Sequence, residues 1–339
     1  MSDAPGADTP GEAMAATSPY LPHRRILLDA DELQALSRID AGRALRDIGI
    51  GWLKILAAFG AVALWPTWWM VALAIPVIGT TRYAHQILAH DGIHRRLHPD
   101  SRRNDLLCDL LLLGPVAAVT RVNGQNHLAH HRHLASELDP DRHKYGSYNK
   151  RTLPQVLLYV AGLSGLLPQL HNVYRLGKLG DAGEAGTKAP AERYSLRDLA
   201  IIFGWQALLI GGLSLAIGWW AYPVLWMLPV FVFMHCADLT RQWLEHAHPI
   251  PDAEADARRL LSFESTPIER WLLAPHNMNH HIAHHLWPSI PYYNLPEADR
   301  RARERNRSDR LGWRTTYREA LGRYLRALPL PAPGSGSPG

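Results

Sequence analysis

Residues 201–237 read IIFGWQALLIGGLSLAIGWWAYPVLWMLPVFVFMHCA, a run of 37 residues without a formal charge. One bilayer crossing takes roughly 20 apolar residues in a helix, so the run is long enough for two. Trp219, Trp220, Tyr222 and Pro223 stand near its middle. A single long crossing would hold these rings at mid-bilayer. A hairpin brings them to an interface, where tryptophan and tyrosine are enriched. Two spans are predicted, near 199–218 and 224–241.

Upstream, Ile55 to Gly79 is a second uncharged stretch with Lys54 at its edge. Trp65, Trp68 and Trp69 cluster about Pro66-Thr67 in the same way, so 48–84 reads as another hairpin. The expected fold is an all-α integral membrane protein. It has four transmembrane helices in two hairpins, interfacial helices, and a cytoplasmic helical cap carrying a histidine-rich di-metal site. Residues 30–46 read as an amphipathic helix leading to the membrane. The apolar stretches 105–119 and 154–170 are short and interrupted by Gly114-Pro115 and Pro168, and they read as interfacial or re-entrant helices. Residues 176–193 read as a loop. By composition, 1–22 and 329–339 are expected to be disordered tails around a membrane-embedded domain at 23–328.

Composition removes several classes. Cys108 and Cys236 form no C-x-x-C pattern, which argues against a disulfide framework, a cysteine-held zinc and an iron–sulfur cluster. The formal charge of +5 is modest, and nothing points to nucleic acid as a partner. No secretory signal pattern opens the chain, so insertion is expected to come from the internal spans.

The polar remainder is rich in histidine. His90 and His94 form an H-x-x-x-H pair; His127, His130 and His131 form an H-x-x-H-H box; His281, His284 and His285 form another. Residues three and four apart share a helix face, and imidazole is the commonest metal ligand. His246 adds a ninth candidate just past the last span. Nine neutral nitrogens exceed the needs of one ion. They suit two octahedral-like ions with open positions, and not a four-coordinate zinc.

Span counting puts all nine on one side. Two spans precede His90, two more separate His131 from His246, and none separates His246 from His285. That side carries Arg82, Arg95, Arg96, Arg102, Arg103, Arg121 and Arg132, while the far turns carry no Lys or Arg. The metal site and both termini are therefore expected to be cytoplasmic, in the inner or cell membrane for a bacterial chain. Asp91, Asp139, Asp141 and Glu245 stand beside the boxes and are expected to hold the far ring nitrogens of the ligand imidazoles. Glu245 is the alternative ligand among them.

At this point a resemblance becomes specific. The segment HNMNHHIAHHLWPSIPYYNLPE at 276–297 resembles the third histidine box and its tail in membrane-bound fatty acid desaturases. HDGIH at 90–94 resembles their first box, and HLAHHRHLASELDPD at 127–141 their second. The order and the long hairpin between boxes two and three are also similar, over residues 82–297. The resemblance implies a non-haem di-iron centre (Fe2+/Fe3+) that uses O2 as co-substrate, held by the eight box histidines. His246 is similar to the solitary histidine of the alkane hydroxylase branch. In acyl-CoA desaturases and alkane hydroxylases an Asn stands four residues before that histidine; here it is Gln242, also placed beside the site. His280 stands where relatives often have Tyr.

Bland readings cover the rest. His23, His98, His143, His171 and His248 read as solvated histidines, while His85, His133, His235, His276 and His280 read as neighbours of the boxes. The arginines from Arg300 to Arg326 read either as a solvated face or as a surface for anionic headgroups, a thioester phosphate or a redox partner. Trp287, Tyr292 and Tyr293 are candidate substrate contacts.

The expected activity is an oxygen-dependent lipid oxidation, foremost a fatty acyl desaturase that introduces a double bond. The alternative is a hydroxylase or ketolase of the same superfamily on a fatty acyl, alkyl or carotenoid substrate. A zinc hydrolase is disfavoured because HDGIH lacks the Glu of H-E-x-x-H. A metal transporter would place its ligands within the spans. Expected partners are a lipid or acyl thioester substrate, membrane lipid, and an external ferredoxin- or cytochrome-like electron donor with its reductase. The donor is expected to dock on Arg301, Arg303 and Arg305.

Overall fold

The computed structural model describes residues 21–134, 139–141, 144, 150–164, 194–246, 261–305 and 313–330. The chain enters through α1 (Leu21–Leu27) and α2 (Ala30–Leu36), then α3 (Ala41–Leu64) and α4 (Trp68–Ile93). The amphipathic segment expected at 30–46 is divided in two. Ser37 closes α2, and Asp40 opens α3 by accepting from the Arg43 backbone N–H at 3.0 Å, a side-chain cap that starts a new helix. At its other end α3 stops at Trp65, because a residue before proline disfavours the α conformation. Only Trp65, Pro66 and Thr67 link α3 to α4. The two helices run back along each other, with Ile48 against His85 and Val62 in one core with Ala74.

Beyond α4, α5 (Ser101–Cys108) continues through a π-helical turn and a 3-10 turn to Val116. Asp109 then accepts from both the backbone N–H and the hydroxyl of Thr120 at 2.7 Å and so starts α6 (Thr120–His133). The short helix α7 (Leu153–Val160) follows. Residues 165–170 of the second expected interfacial stretch, and the expected loop at 176–193, lie outside the described residues.

Helix α8 (Leu196–Ala216) is opened by a capping box between Ser195 and Asp198. Gly218, at φ 144°, makes the turn, a conformation that side chains other than glycine rarely adopt. Helix α9 (Tyr222–His246) follows, with π-helical turns at Tyr222–Met227 and Val230–His235. Pro223 and Pro229 lack the N–H that a regular α-helix needs. The sequence places the end of this span near 241 and His246 beyond it, yet the helix continues through His246. Its polar last turns are held by Arg241, which pairs with Asp238 at 3.0 Å and with Glu245 at 2.5 Å, the i, i+3 and i, i+4 spacings that support a helix.

Helices α3, α8 and α9 are long and apolar enough to cross a membrane. Leu53, Leu56, Phe203, Leu208 and Leu215 stand exposed on α3 and α8, an apolar surface too broad for water alone. Inside, Trp52 of α3 stacks on Trp205 of α8 at 5.3 Å and on Trp226 of α9 at 6.3 Å, locking three helices together.

The C-terminal part comprises β1 (Leu261–Phe263), α10 (Pro267–Leu272), α11 (His281–Leu286), α12 (Leu295–Arg305), β2 (Trp313–Thr315) and α13 (Tyr317–Arg326). β1 and β2 pair in parallel with Leu261 opposite Trp313. The fold is thus mostly helical rather than purely so. Strands of three residues are too short for an alternating pattern to show in sequence.

Leu27, Leu28 and Leu36 of the N-terminal helices share a core with Leu286, Trp287, Leu295 and Ala298. Arg301 and Arg305 both reach Glu32, at 3.0 and 2.5 Å, and Arg303 lies 3.4 Å from Asp299. The arginines expected to receive a donor therefore spend charge within the fold. Of the expected tails, 1–20 and 331–339 lie outside the described residues. Leu330 is buried, and its N–H donates to Arg151 O at 3.0 Å.

Candidate metal centre

Four helices deliver the nine histidines. His90 lies in the last turn of α4, and His94 follows that helix directly; α6 carries His127, His130 and His131; α9 ends on His246; α11 carries His281, His284 and His285. Five of them, His90, His94, His127, His131 and His284, bring ring nitrogens within 4.8 Å of one another. A second group, His130, His246 and His285, does the same. His281 joins this second group, its Nε2 lying 3.0 Å from His246 Nε2.

This division follows from helix geometry. At about 100° per residue, i and i+4 differ by about 40° while i+3 falls about 60° to the other flank. His127 and His131 therefore enter one pocket and His130 the other. In α11 the same rule sends His281 and His285 to the second pocket and His284 to the first. Each H-x-x-H-H box splits between both pockets, and His246 completes the smaller one.

The rings converge closely. Nε2 of His94 lies 2.7 Å from Nε2 of His127, and Nε2 of His284 lies 3.0 Å from Nε2 of His131. His131 and His285 stack at 4.2 Å and form a wall common to both pockets. Desolvation, followed by mutual repulsion, holds His127, His131, His281, His284 and His285 well below the ordinary imidazole range, and His94 is lowered to about 3 by desolvation first. These rings are neutral at pH 7, the form that binds metal. His285 Nε2 is buried without a hydrogen-bond partner among the described residues, the kind of orphan that a metal ion satisfies. The donor set fits two imidazole-ligated ions such as iron.

The expected supporting residues divide. Asp139 lies 2.9 Å from His130 Nδ1, fixing a proton there and leaving Nε2 to face the pocket. Glu245 Oε2 lies 3.3 Å from His281 Nδ1, within ion-pair distance but out of hydrogen-bond alignment. Asp91 accepts from the Tyr292 backbone N–H at 2.7 Å and so braces the tail of the third box. Asp141 sits 2.9 Å from Lys144. Gln242 donates to Asp238 Oδ2 at 2.5 Å.

The neighbouring histidines serve the frame. His280 Nδ1 pairs with Asp299 at 2.8 Å. His276, whose pKa burial lowers to about 4, packs edge-on to Tyr292. His85 bridges Arg82 and Ile48 O, His235 stacks on Phe231, and His133 closes α6. His98 Nδ1 accepts from the Asp100 N–H. His143, His171, His248 and the His23 side chain lie outside the described residues. The aromatics of the third box also brace: Trp287 is buried, Tyr292 donates to Asp47, and Tyr293 donates to Arg38 O.

Two supporting residues carry no motif. Arg241 grips Glu245 and also donates to the Tyr83 hydroxyl at 2.8 Å. Tyr317 donates to Glu245 Oε1 at 2.9 Å and stacks on Phe263 at 3.9 Å. The i, i+4 spacing of Arg241 and Glu245 is a usable signal; Tyr317 lies 72 residues from its partner and has none. Neither cysteine joins the site, and burial pushes the Cys108 thiol up to about 12.

Comparison with known proteins agrees with this geometry. The family model described as fatty acid desaturase matches residues 66–317, an interval that holds all nine histidines. A probable fatty acid desaturase from Sorghum bicolor is 26% identical over 299 residues, covering 82% of this chain and 70% of its own. A beta-carotene ketolase from Paracoccus sp. is 25% identical over 253 residues, covering 71% and 88%. A chloroplastic omega-3 fatty acid desaturase from Glycine max is 26% identical over 277 residues, covering 74% and 58%. With three boxes, their histidines in two pockets and a family match across all of them, the chain belongs to the fatty acid desaturase family.

Proposed function

We propose that this protein is a membrane-bound, oxygen-dependent di-iron oxidoreductase that acts on lipid C–H bonds, and that its reaction is fatty acyl desaturation. The observation that carries this reading is the sorting of nine imidazoles into two adjoining pockets. Iron held there supplies the power to break an unactivated C–H bond, using O2 and two external electrons. His90, His94, His127, His131 and His284 are the proposed ligands of one ion, and His130, His246, His281 and His285 those of the other.

The chain's own residues supply position and dryness. Asp139 keeps the His130 proton on Nδ1, while Glu245 stands 3.3 Å from His281 Nδ1 as a buried charged neighbour. Leu286, Trp287 and Met278 are buried around the third box and exclude water, which strengthens electrostatic contacts inside the site. No side chain is needed as nucleophile.

Helix α4 is proposed as a fourth crossing: its 26 residues reach about 39 Å at 1.5 Å per residue. The site ends of α4 and α9 then meet at one membrane surface, and the arginines there make it cytoplasmic. A separate ferredoxin- or cytochrome-like protein with its reductase is the proposed source of electrons. The substrate is a lipid or acyl thioester.

A ketolase or hydroxylase is the second reading. It is favoured by the Paracoccus ketolase, which this chain matches over 88% of that protein's length. The test is expression in a host of known lipid composition, with and without an added carotenoid, comparing wild type with His284→Ala. Loss of two hydrogens from an acyl chain supports desaturation, and gain of oxygen supports the second reading. Identical profiles together with iron-free protein would overturn both.

A further inference from the structure

The two pockets differ in the groups behind their ligands. In the second pocket, His130 Nδ1 stands 2.9 Å from buried Asp139, and His281 Nδ1 stands 3.3 Å from buried Glu245. Glu245 and Asp238 share one guanidinium, that of Arg241, so Asp139 is the carboxylate in direct hydrogen-bond contact with a ligand ring. In the first pocket no ligand histidine lies against a carboxylate among the described residues. Asp91, although adjacent to His90 in sequence, is turned to the Tyr292 backbone. Among the described residues Nδ1 of His90 and of His131 is buried without a hydrogen-bond partner, as is Nδ1 of His281 in the second pocket, so the His130–Asp139 hydrogen bond is what sets the two pockets apart.

We infer that the two metal pockets are electronically unequal, and that the pocket of His130, His246, His281 and His285 holds the ion that is oxidised first. This rests on the di-iron reading above. A carboxylate behind an imidazole raises its basicity as a ligand, and a nearby negative charge favours the more positive state of the metal. The first pocket has one more imidazole, but a neutral dipole acts over a shorter range than a net charge. On removal of one electron from the reduced protein, the second-pocket Fe2+ becomes Fe3+ and the first stays Fe2+. The electron passes to a one-electron oxidant of the ferricyanide class, and no bond forms or breaks.

The experiment uses the full chain loaded with Mössbauer-active iron and titrated with ferricyanide. Two ferrous signals of equal area are expected, one converting to ferric well before the other. Asp139→Asn, which preserves shape, should change the early signal and make its ion about tenfold harder to oxidise, a rise of about 59 mV. Glu245→Gln acts on the same pocket through His281 and gives the same answer if Asp139→Asn fails to fold. Simultaneous oxidation of both signals, or an Asp139→Asn effect confined to the late signal, overturns the inference while leaving the di-iron reading intact. Protein that takes up no iron overturns both.

Discussion

The backbone N–H of Tyr292 donates to Asp91 Oδ2 at 2.7 Å, joining positions 201 residues apart. Asp91 lies between the two histidines of the first box, and Tyr292 belongs to the tail of the third. This bond therefore fixes the helix that carries His284 against the helix that carries His90. Asp91→Ala would leave a buried donor unpaired, at a cost of about 1–3 kcal/mol, and should lower iron retention. Asp91→Asn keeps an acceptor and should largely restore both. Thermal unfolding and iron analysis of the two purified variants check this, and equal losses in both would count against the bracing role.

The split of each box between pockets gives a second expectation. His284→Ala and His285→Ala alter adjacent positions but different pockets. Each should lose iron from one pocket while largely keeping the other, and the double variant should lose nearly all of it. Elemental analysis per chain separates this outcome from one shared site, in which each single change would empty everything.

Helix α3 offers a paired test of packing. A Cβ at Gly51 would lie 2.0 Å from His85 Nε2, whereas one at Gly49 meets nothing within 4 Å. Gly51→Ala should destabilise by about 1–3 kcal/mol through overpacking. Gly49→Ala should be neutral, or stabilising by about 0.5–1 kcal/mol, because alanine loses less freedom in a helix. Melting of the two variants in detergent should differ in direction.

Lys150 carries a pH signature. It is fully buried with its ammonium 3.9 Å from the centre of the Tyr159 ring, and burial lowers its pKa to about 7. Its ordinary value is 10.5, so between these values the unfolded chain binds more protons than the folded one. Stability should rise with pH across that window, and Lys150→Met should flatten the slope. The unfolding midpoint of wild type and variant, followed from pH 7 to alkaline pH, tests it.

Much of the site is legible because helical ligands obey a short rule. The i, i+3 and i, i+4 spacings of the boxes state which histidines converge, whereas the sharing of each box between two pockets emerges only from the structure. The apolar blocks are legible for a similar reason, since a bilayer sets a minimum length and tryptophans mark its edges. The polar end of α9 is less legible: Asp238, Arg241 and Glu245 look like the start of a loop until their mutual pairing is seen. Tyr317 and the β1–β2 pair are not legible at all, because each depends on a partner distant in sequence. The Arg301 and Arg305 contacts with Glu32 belong to the same class. A charge run states its sign, not whether the fold has already used it.

The first pocket draws on His90 and His284, and Tyr317 supports the second through Glu245. A nascent chain that has not yet reached His284 lacks that first-pocket ligand and the second-pocket ligand His285, and one that has not reached Tyr317 lacks a buried prop. The centre is therefore complete only once synthesis has passed Tyr317. Metal acquisition thus becomes a late inspection step, one that a product stalled before Tyr317 fails.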